Sequence, residues 1–144
     1  MANLDVKLQK DMLTWISKGE KATIDKSSGE RFIGNGSFLR KVNCAYINES
    51  FLTEINCVKS LQNDSLDAWK RVEVREDAGE RLLGKKKIKC KKFKTNNSFC
   101  YVDEKYLKYF DSKAEYRIKN EKNAVLVFEN NSLTGIIMPF LVKE

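Results

Sequence analysis

The chain has 144 residues, 42% of them hydrophobic, which is enough for one domain with a buried core. It carries a formal net charge of +7 and contains no histidine, which removes the Ser–His and Cys–His nucleophile pairs and most metal sites. Residues 81–102 hold eight Lys and Arg side chains and no acidic one, so the other 122 residues together carry −1. The positive charge is therefore concentrated in one segment.

Hydropathy and cysteine spacing predict a cytoplasmic protein that does not enter a membrane. No apolar run approaches the roughly 20 residues that cross a bilayer, and residues 1–5 lack the start of a signal peptide. The four cysteines are too far apart to hold zinc, and we expect them to be reduced and mostly buried; their even number leaves disulfides open, which a cytosolic location disfavours. They are Cys44, Cys57, Cys90 and Cys100.

The first predicted element is an amphipathic helix that starts after Asn3 as its cap and stops at Gly19. Apolar side chains recur at helical spacing on one face: Leu4, Leu8, Met12, Trp15 and Ile16. The opposite face carries Lys7, Lys10, Thr14 and Lys18. Short strands are predicted next at residues 22–25, 30–33 and 38–47, with turns at 27–29 and 34–36. Residues 34–37 lack the ending of a phosphate-binding loop, so they are interpreted as a turn.

The middle of the chain is predicted to begin with a second helix over residues 48–62, capped by Asn48. Its apolar face would consist of Phe51, Leu52, Ile55, Val58 and Leu61. Residues 64–68 add one further turn. Strands are expected at 71–75 and 80–83, separated by a turn at 77–79 that Glu73, Glu76, Asp77 and Glu80 flank.

The lysine segment, defined as residues 85–94, is predicted to be a folded strand. Lys85, Lys87 and Lys89 alternate with Ile88 and Cys90, which is the period of a strand with one buried face. The alternation slips afterwards, which indicates a bulge or a strand end near Lys92. Two interpretations stay open at this point: a solvated face that protects a sheet edge, or a surface that contacts phosphates.

The C-terminal part reads as a strand at 98–102, a short helix at 103–110 and strands at 115–119, 124–129 and 133–140. Tyr106, Leu107 and Phe110 should point inward, and Lys105 and Lys108 outward. Phe93, Phe99 and Tyr101 could stack nucleic-acid bases if exposed, although core packing is the favoured reading. The whole chain, residues 1–144, is thus predicted to be a single α+β domain of helices packed on an antiparallel sheet.

A helix followed by hairpin-linked strands occurs twice in this prediction, and three segments carry a resemblance to one family. They are residues 29–39, residues 101–110 (YVDEKYLKYF) and residues 133–140, which contain the Met138-Pro139 pair. The chain resembles a domain of the bacterial sliding clamp, the beta subunit of DNA polymerase III, with about half its length covered. A bacterial clamp chain has three such domains and closes as a dimer, so a ring of this chain would take about six copies.

The resemblance implies a clamp-like pseudo-twofold fold and a non-enzymatic, sequence-independent DNA-binding protein of DNA replication, encoded by a phage or mobile element. No cofactor or metal is expected. Phosphate contacts are predicted for the lysine segment (Lys85, Lys86, Lys87, Lys89, Lys91, Lys92 and Lys94) and, through the resemblance, for Lys7, Lys10, Lys18, Lys105 and Lys108 on helices. The alternative is an interaction or inhibitor protein that docks its basic strand onto an acidic partner, such as a polymerase. Oligomerisation stays open.

Overall fold

The structure is a computed structural model that describes residues 2–43, 46–63, 66–83 and 85–141. The chain folds as two compact units, Met1–Leu66 and Asp67–Glu144. The predicted α+β class with a mostly antiparallel sheet is confirmed. The expectation that the whole chain is one domain stays a prediction.

The first unit begins with helix α1, Ala2–Ser17. Leu8 and Met12 of the predicted apolar stripe are fully buried, and Leu4, Trp15 and Ile16 are half-buried. The four side chains predicted on the other face are all exposed: Lys7, Lys10, Thr14 and Lys18. The amphipathic pattern therefore identified correctly which face of α1 is covered.

The two ends of α1 differ in how well the sequence indicated them. The helix already includes Asn3, so the predicted cap was wrong by one or two residues. Gly19 was correctly identified as the stop: it has φ +75°, its N–H bonds the Ile16 carbonyl at 3.0 Å, and the Glu20 N–H bonds the Trp15 carbonyl at 2.8 Å. These paired bonds form a Schellman motif, which needs a left-handed residue at this position.

Three antiparallel strands follow: β1 (Thr23–Asp25), β2 (Phe32–Gly34) and β3 (Phe38–Lys41). β1 pairs with β2 and β2 with β3, joined through the two predicted turns. The third strand is shorter than the predicted range 38–47, of which residues 44 and 45 lie outside the described residues. Ile24, Phe32, Ile33, Phe38 and Leu39 are at most 3% exposed and form the core of these strands.

The predicted helix over residues 48–62 was wrong over residues 48–57, and only its last part is helical. Asn48 does act as a cap, but only of one 3-10 turn, Glu49–Phe51. The chain then forms strand β4, Thr53–Ile55, which pairs in parallel with β1, and helix α2, Val58–Asn63. The β1 edge offers unpaired backbone groups, and pairing with them overrides the helical spacing of the apolar residues in this segment.

The second unit contains the antiparallel strands β5 (Lys70–Arg71), β9 (Glu115–Ile118), β10 (Val125–Glu129) and β11 (Ser132–Ile137). β9 pairs with β5 and β10, and β10 also pairs with β11. The three predicted C-terminal strands are therefore confirmed within two or three residues. The last one ends early, and Phe140 makes only an isolated bridge to Tyr101.

A separate three-stranded antiparallel sheet in this unit consists of β6 (Val74–Leu83), β7 (Lys86–Lys94) and β8 (Phe99–Asp103), in that order. The predicted turn at 77–79 was wrong, because those residues lie inside β6. The register shifts between Asp77 and Glu80, where β6 holds one extra residue and Gly79 adopts φ +71°. The predicted bulge or strand end near Lys92 was wrong: β7 continues to Lys94 in regular register with β8, and the bulge lies in β6.

The predicted helix after β8 is a 3-10 helix, Glu104–Tyr109, capped by the side chain of Asp103. Tyr106 and Phe110 point inward as predicted, at 7% and 5% exposed, while Leu107 is only half-buried. Tyr109, which the sequence did not single out, is the most buried residue of the segment at 2%. A 3-10 turn eclipses residues three apart, so Tyr106 and Tyr109 share one side.

Candidate nucleic-acid interface

The lysine segment lies mostly in β7, and β7 has a neighbouring strand on both sides over only part of its length. β7 pairs with β6 from Lys94 to Lys86, whereas its pairing with β8 begins at Cys90. Residues 86–89 of β7 and residues 80–83 of β6 therefore form a two-stranded extension of the sheet. We call residues 80–89, which include this extension, the ribbon.

In the inner half of β7, beyond the ribbon, the lysines have partners. The Lys91 ammonium lies 2.6 Å from a carboxylate oxygen of Asp77, and that of Lys94 lies 2.8 Å from Glu76. Hydrogen bonds from these lysines lower the pKa of both carboxyl groups. Lys92 instead lies 4.7 Å from the centre of the Phe99 ring. Three of the seven predicted lysines are thus engaged within the protein.

The ribbon itself is almost entirely exposed. Apart from half-buried Ile88, every ribbon residue whose side chain is described is solvent-accessible. Its five basic residues (Arg81, Lys85, Lys86, Lys87 and Lys89) and its single acid, Glu80, give residues 80–89 a net charge of +4. In the described part of the chain, no salt bridge involves Lys85, Lys86, Lys87 or Lys89. These four lysines remain available to an external anion.

A cleft of about 300 Å³ lies beside the ribbon and brings a fifth predicted lysine to it. Lys86, Lys87, Lys89 and Lys105 line the cleft together with Ile88, Asp103 and Glu104. The Asp103 side chain is 11% exposed, and its carboxylate accepts a hydrogen bond of 3.0 Å from the Lys105 backbone N–H and lies 3.6 Å from the Lys105 ammonium, so its charge is largely used within the protein. The lining of the cleft therefore combines four ammonium groups with two carboxylates, those of Asp103 and Glu104, and has a net positive charge.

The other predicted helix lysines are not brought to this cleft. Lys7, Lys10 and Lys18 are exposed in the first unit, and Lys108 is exposed in the second, with its ammonium 5.1 Å from the centre of the Tyr109 ring. Lys105 is thus the one helix lysine that the described residues place beside the lysine segment.

The three aromatic residues near the segment are mostly in the core, as favoured from the sequence. Phe93 is fully buried against Tyr116, with ring centres 4.9 Å apart, and Tyr101 is 5% exposed. Phe99 is 39% exposed, but Lys92 lies over its ring. Stacking on bases would have to displace that lysine.

Sequence reasoning missed two features of this surface. The pairing of Lys91 and Lys94 with Asp77 and Glu76 follows from one antiparallel hairpin that runs through residues 77–79, where a turn was predicted. Leu82 was noted only as part of a strand, yet it is 70% exposed on the ribbon. The isolated Gly79 within a strand pattern was the available signal for the bulge that sets the first of these.

Other chemistry in the described residues is limited. No group of three or more Cys, Asp or Glu side chains there is arranged to hold a metal ion. Cys57, Cys90 and Cys100 are free thiols, and Cys44 lies outside the described residues. Burial raises the pKa of Cys100 to about 12; burial and the neighbouring Asp25 do the same for Cys57. Both thiols are therefore protonated at neutral pH.

Comparison with known proteins adds no relative. The chain matches no family model, no curated protein and no solved structure. None of the helices in the described residues has the length and apolar character needed to cross a bilayer.

Proposed function

We propose that this protein is a non-enzymatic, sequence-independent DNA-binding protein whose ribbon contacts the phosphate backbone. The observation that carries the proposal is the convergence of Lys86, Lys87, Lys89 and Lys105 on one cleft beside an exposed ribbon of net charge +4. Each phosphate that a lysine neutralises releases a condensed counterion, so such a surface gains affinity in proportion to its number of contacts.

The geometry favours phosphate contacts over the reading of bases. Lysine is a flexible point charge with three donors, and contacts to phosphates position a protein on DNA without carrying sequence information. The ribbon is two strands wide, and a two-stranded ribbon fits the major groove of a duplex. Lysines on its two faces can then contact the phosphates on both sides of a groove.

We also propose that the fold is clamp-like and that the protein acts in DNA replication. In its support, each unit contains a helix followed by three antiparallel strands: α1 precedes β1–β3, and the 3-10 helix at residues 104–109 precedes β9–β11.

The test is fluorescence anisotropy of a labelled duplex, and of one of its strands alone, over a series of salt concentrations. About four phosphate contacts should give a log–log slope of affinity against salt near −4 for the duplex. Lys87→Glu/Lys89→Glu should reduce affinity at least tenfold and make the slope shallower. Lys113→Glu/Lys122→Glu, a control with the same charge change at exposed positions before and after β9, should retain most of the affinity.

Absence of duplex binding at low salt would refute the proposal. So would equal losses in the two double variants, since the ribbon would then contribute nothing beyond net charge. A protein partner that excess duplex fails to displace, and that Lys87→Glu/Lys89→Glu no longer binds, would favour the alternative of docking to an acidic protein surface.

A further inference from the structure

Among the described side chains of the ribbon, Leu82 is the exposed apolar one, and it lies among cations. Leu82 is 70% exposed, the largest exposed fraction among the large apolar side chains of the described residues. Lys87 is its direct cross-strand partner, and Lys89 follows two residues farther along the same face of β7. Leu82 therefore combines an exposed apolar side chain with flanking cations, the combination that a side chain entering a DNA groove requires.

Resting on the proposed function, we propose that Leu82 is a wedge that enters a groove of the bound duplex, contacts the bases and bends the DNA. Lysines beside the wedge hold the phosphates that flank the groove. Proteins that bind DNA without reading its sequence often combine these two elements, because an apolar side chain placed at a base step partly unstacks it and lets the duplex bend toward more protein surface.

The position of Leu82 fits this role geometrically. It lies one residue from the last position of β6, in the two-stranded part of the hairpin that extends past β8. Neither face of the ribbon is covered at this point, since Arg81, Leu82, Lys86 and Lys87 are all exposed. The wedge can therefore approach a groove without a rearrangement of the sheet.

A nucleic acid fits this surface better than a lipid bilayer. A wedge requires one apolar side chain, whereas stable binding to a bilayer requires a wider apolar face or a second anchor. Beside Leu82, the described side chains of the ribbon include half-buried Ile88 and otherwise charged residues. The partner that matches one leucine surrounded by cations is a duplex with a narrow apolar base stack and flanking phosphates.

The test measures bending and affinity in parallel. A short duplex with a donor and an acceptor fluorophore at its ends should show increased energy transfer when the wild-type protein binds. Leu82→Ala should lose at least half of that increase while retaining affinity within about threefold and the same salt slope, because the phosphate contacts are unchanged. Leu82→Phe should retain bending. Leu13→Ala, a control at a 52% exposed leucine of α1, should behave as wild type.

Binding without a change in energy transfer, or equal bending by wild type and Leu82→Ala, would overturn the wedge and leave the proposed function intact. Absence of binding in the anisotropy titration would instead refute the proposed function itself. A parallel titration with phosphatidylserine vesicles covers the lipid alternative: loss of vesicle binding in Leu82→Ala, with DNA bending unchanged, would also overturn the proposal.

Discussion

Asp25 connects two parts of the first unit that are distant in sequence. Its carboxylate is fully buried and accepts hydrogen bonds from the backbone N–H groups of Ser27 at 2.9 Å, Cys57 at 2.7 Å and Val58 at 2.9 Å. Ser27 extends the arrangement, because its hydroxyl accepts from the Lys59 N–H at 3.1 Å. Two side chains from the end of β1 and the following turn thus cap α2.

The first prediction concerns acid sensitivity. Burial alone would raise the pKa of Asp25. Hydrogen bonds from Ser27, Cys57 and Val58 together outweigh this effect and lower the pKa from 3.8 to about 2. A lowered folded-state pKa contributes stability above pH 4 that is lost as the pH falls from about 4 to 2, here about 2 kcal/mol. In Asp25→Asn, an amide NH₂ faces backbone donors, so we expect a loss of about 2 to 3 kcal/mol at pH 7.

Urea unfolding at pH 7, 4 and 2.5 checks both parts of this prediction. The gap in unfolding free energy between wild type and Asp25→Asn should narrow as the pH falls. Glu121→Gln, at an exposed turn position, should follow wild type throughout. A gap that stays constant with pH would show that the charge of Asp25 contributes no stability.

Gly34 is required for a steric reason. A Cβ atom on Gly34 would lie 1.8 Å from the carbonyl oxygen of Phe38, a backbone atom of the neighbouring strand. We therefore expect Gly34→Ala to destabilise the protein by about 3 kcal/mol, since the β2–β3 hairpin must open to relieve the clash. Gly29→Ala is the comparison: its Cβ meets no atom within 4 Å, and only its φ of +89° opposes the substitution. Equal losses of unfolding free energy in urea would contradict the steric argument.

At the scale of elements, the β6–β7 hairpin neutralises part of its own basic charge. Removing Glu76 and Asp77 should release Lys94 and Lys91 for phosphates. We predict that Glu76→Gln/Asp77→Asn binds the duplex about three- to tenfold more tightly at low salt, with a steeper salt dependence. Both carboxylates are solvent-exposed, so the free energy of unfolding should stay nearly unchanged.

The same anisotropy titration measures this effect, with circular dichroism to check the fold. Glu121→Gln/Glu129→Gln is unsuitable as a control, because Glu129 accepts a hydrogen bond of 2.7 Å from the Asp111 N–H. Glu121→Gln/Asp67→Asn changes the charge equally at exposed positions. If this control tightens binding as much as Glu76→Gln/Asp77→Asn, the effect comes from net charge and the ion pairs do not limit affinity.

The elements differ in how far the sequence could predict them. Helix α1 and strands β9–β11 follow from periodicity and turn residues, because each of them buries one face or lies between marked turns. Residues 53–55 could not be assigned by the same reasoning: Thr53 and Ile55 suit a strand, but only the position of β1 in space selects it. Tertiary pairing overrides local spacing there.

The candidate site, too, could be predicted from the sequence only in part. Local charge density correctly indicated a basic strand, since Lys85 to Lys89 alternate with a partly buried face. Which lysines stay available depends on their cross-strand neighbours. Asp77 lies opposite Lys91 because β6 holds an extra residue near Gly79, and a turn prediction at that position hid the register. Lys105 joins the cleft only because the chain turns back beside β7 after β8.

At the scale of the whole molecule, the single-domain prediction can be tested because the two tryptophans report on different units. Trp15 belongs to the first unit, with its ring centre 6.1 Å from that of Phe38. Trp69 belongs to the second, is 4% exposed and donates its indole N–H to the Ala124 carbonyl at 3.0 Å. Trp69→Phe therefore leaves a fluorophore in the first unit, and Trp15→Phe leaves one in the second.

Urea unfolding of each variant, followed by fluorescence and by far-ultraviolet circular dichroism, compares one unit with the whole chain. A single cooperative domain requires the two signals to give the same midpoint and the same slope in each variant, although the variants will differ from one another in stability. We expect this coincidence, because a chain of 144 residues lies within the usual size of one domain. A fluorescence midpoint that departs from the circular dichroism midpoint within one variant would show that the units unfold independently, and the ribbon would then belong to a separately folding second unit.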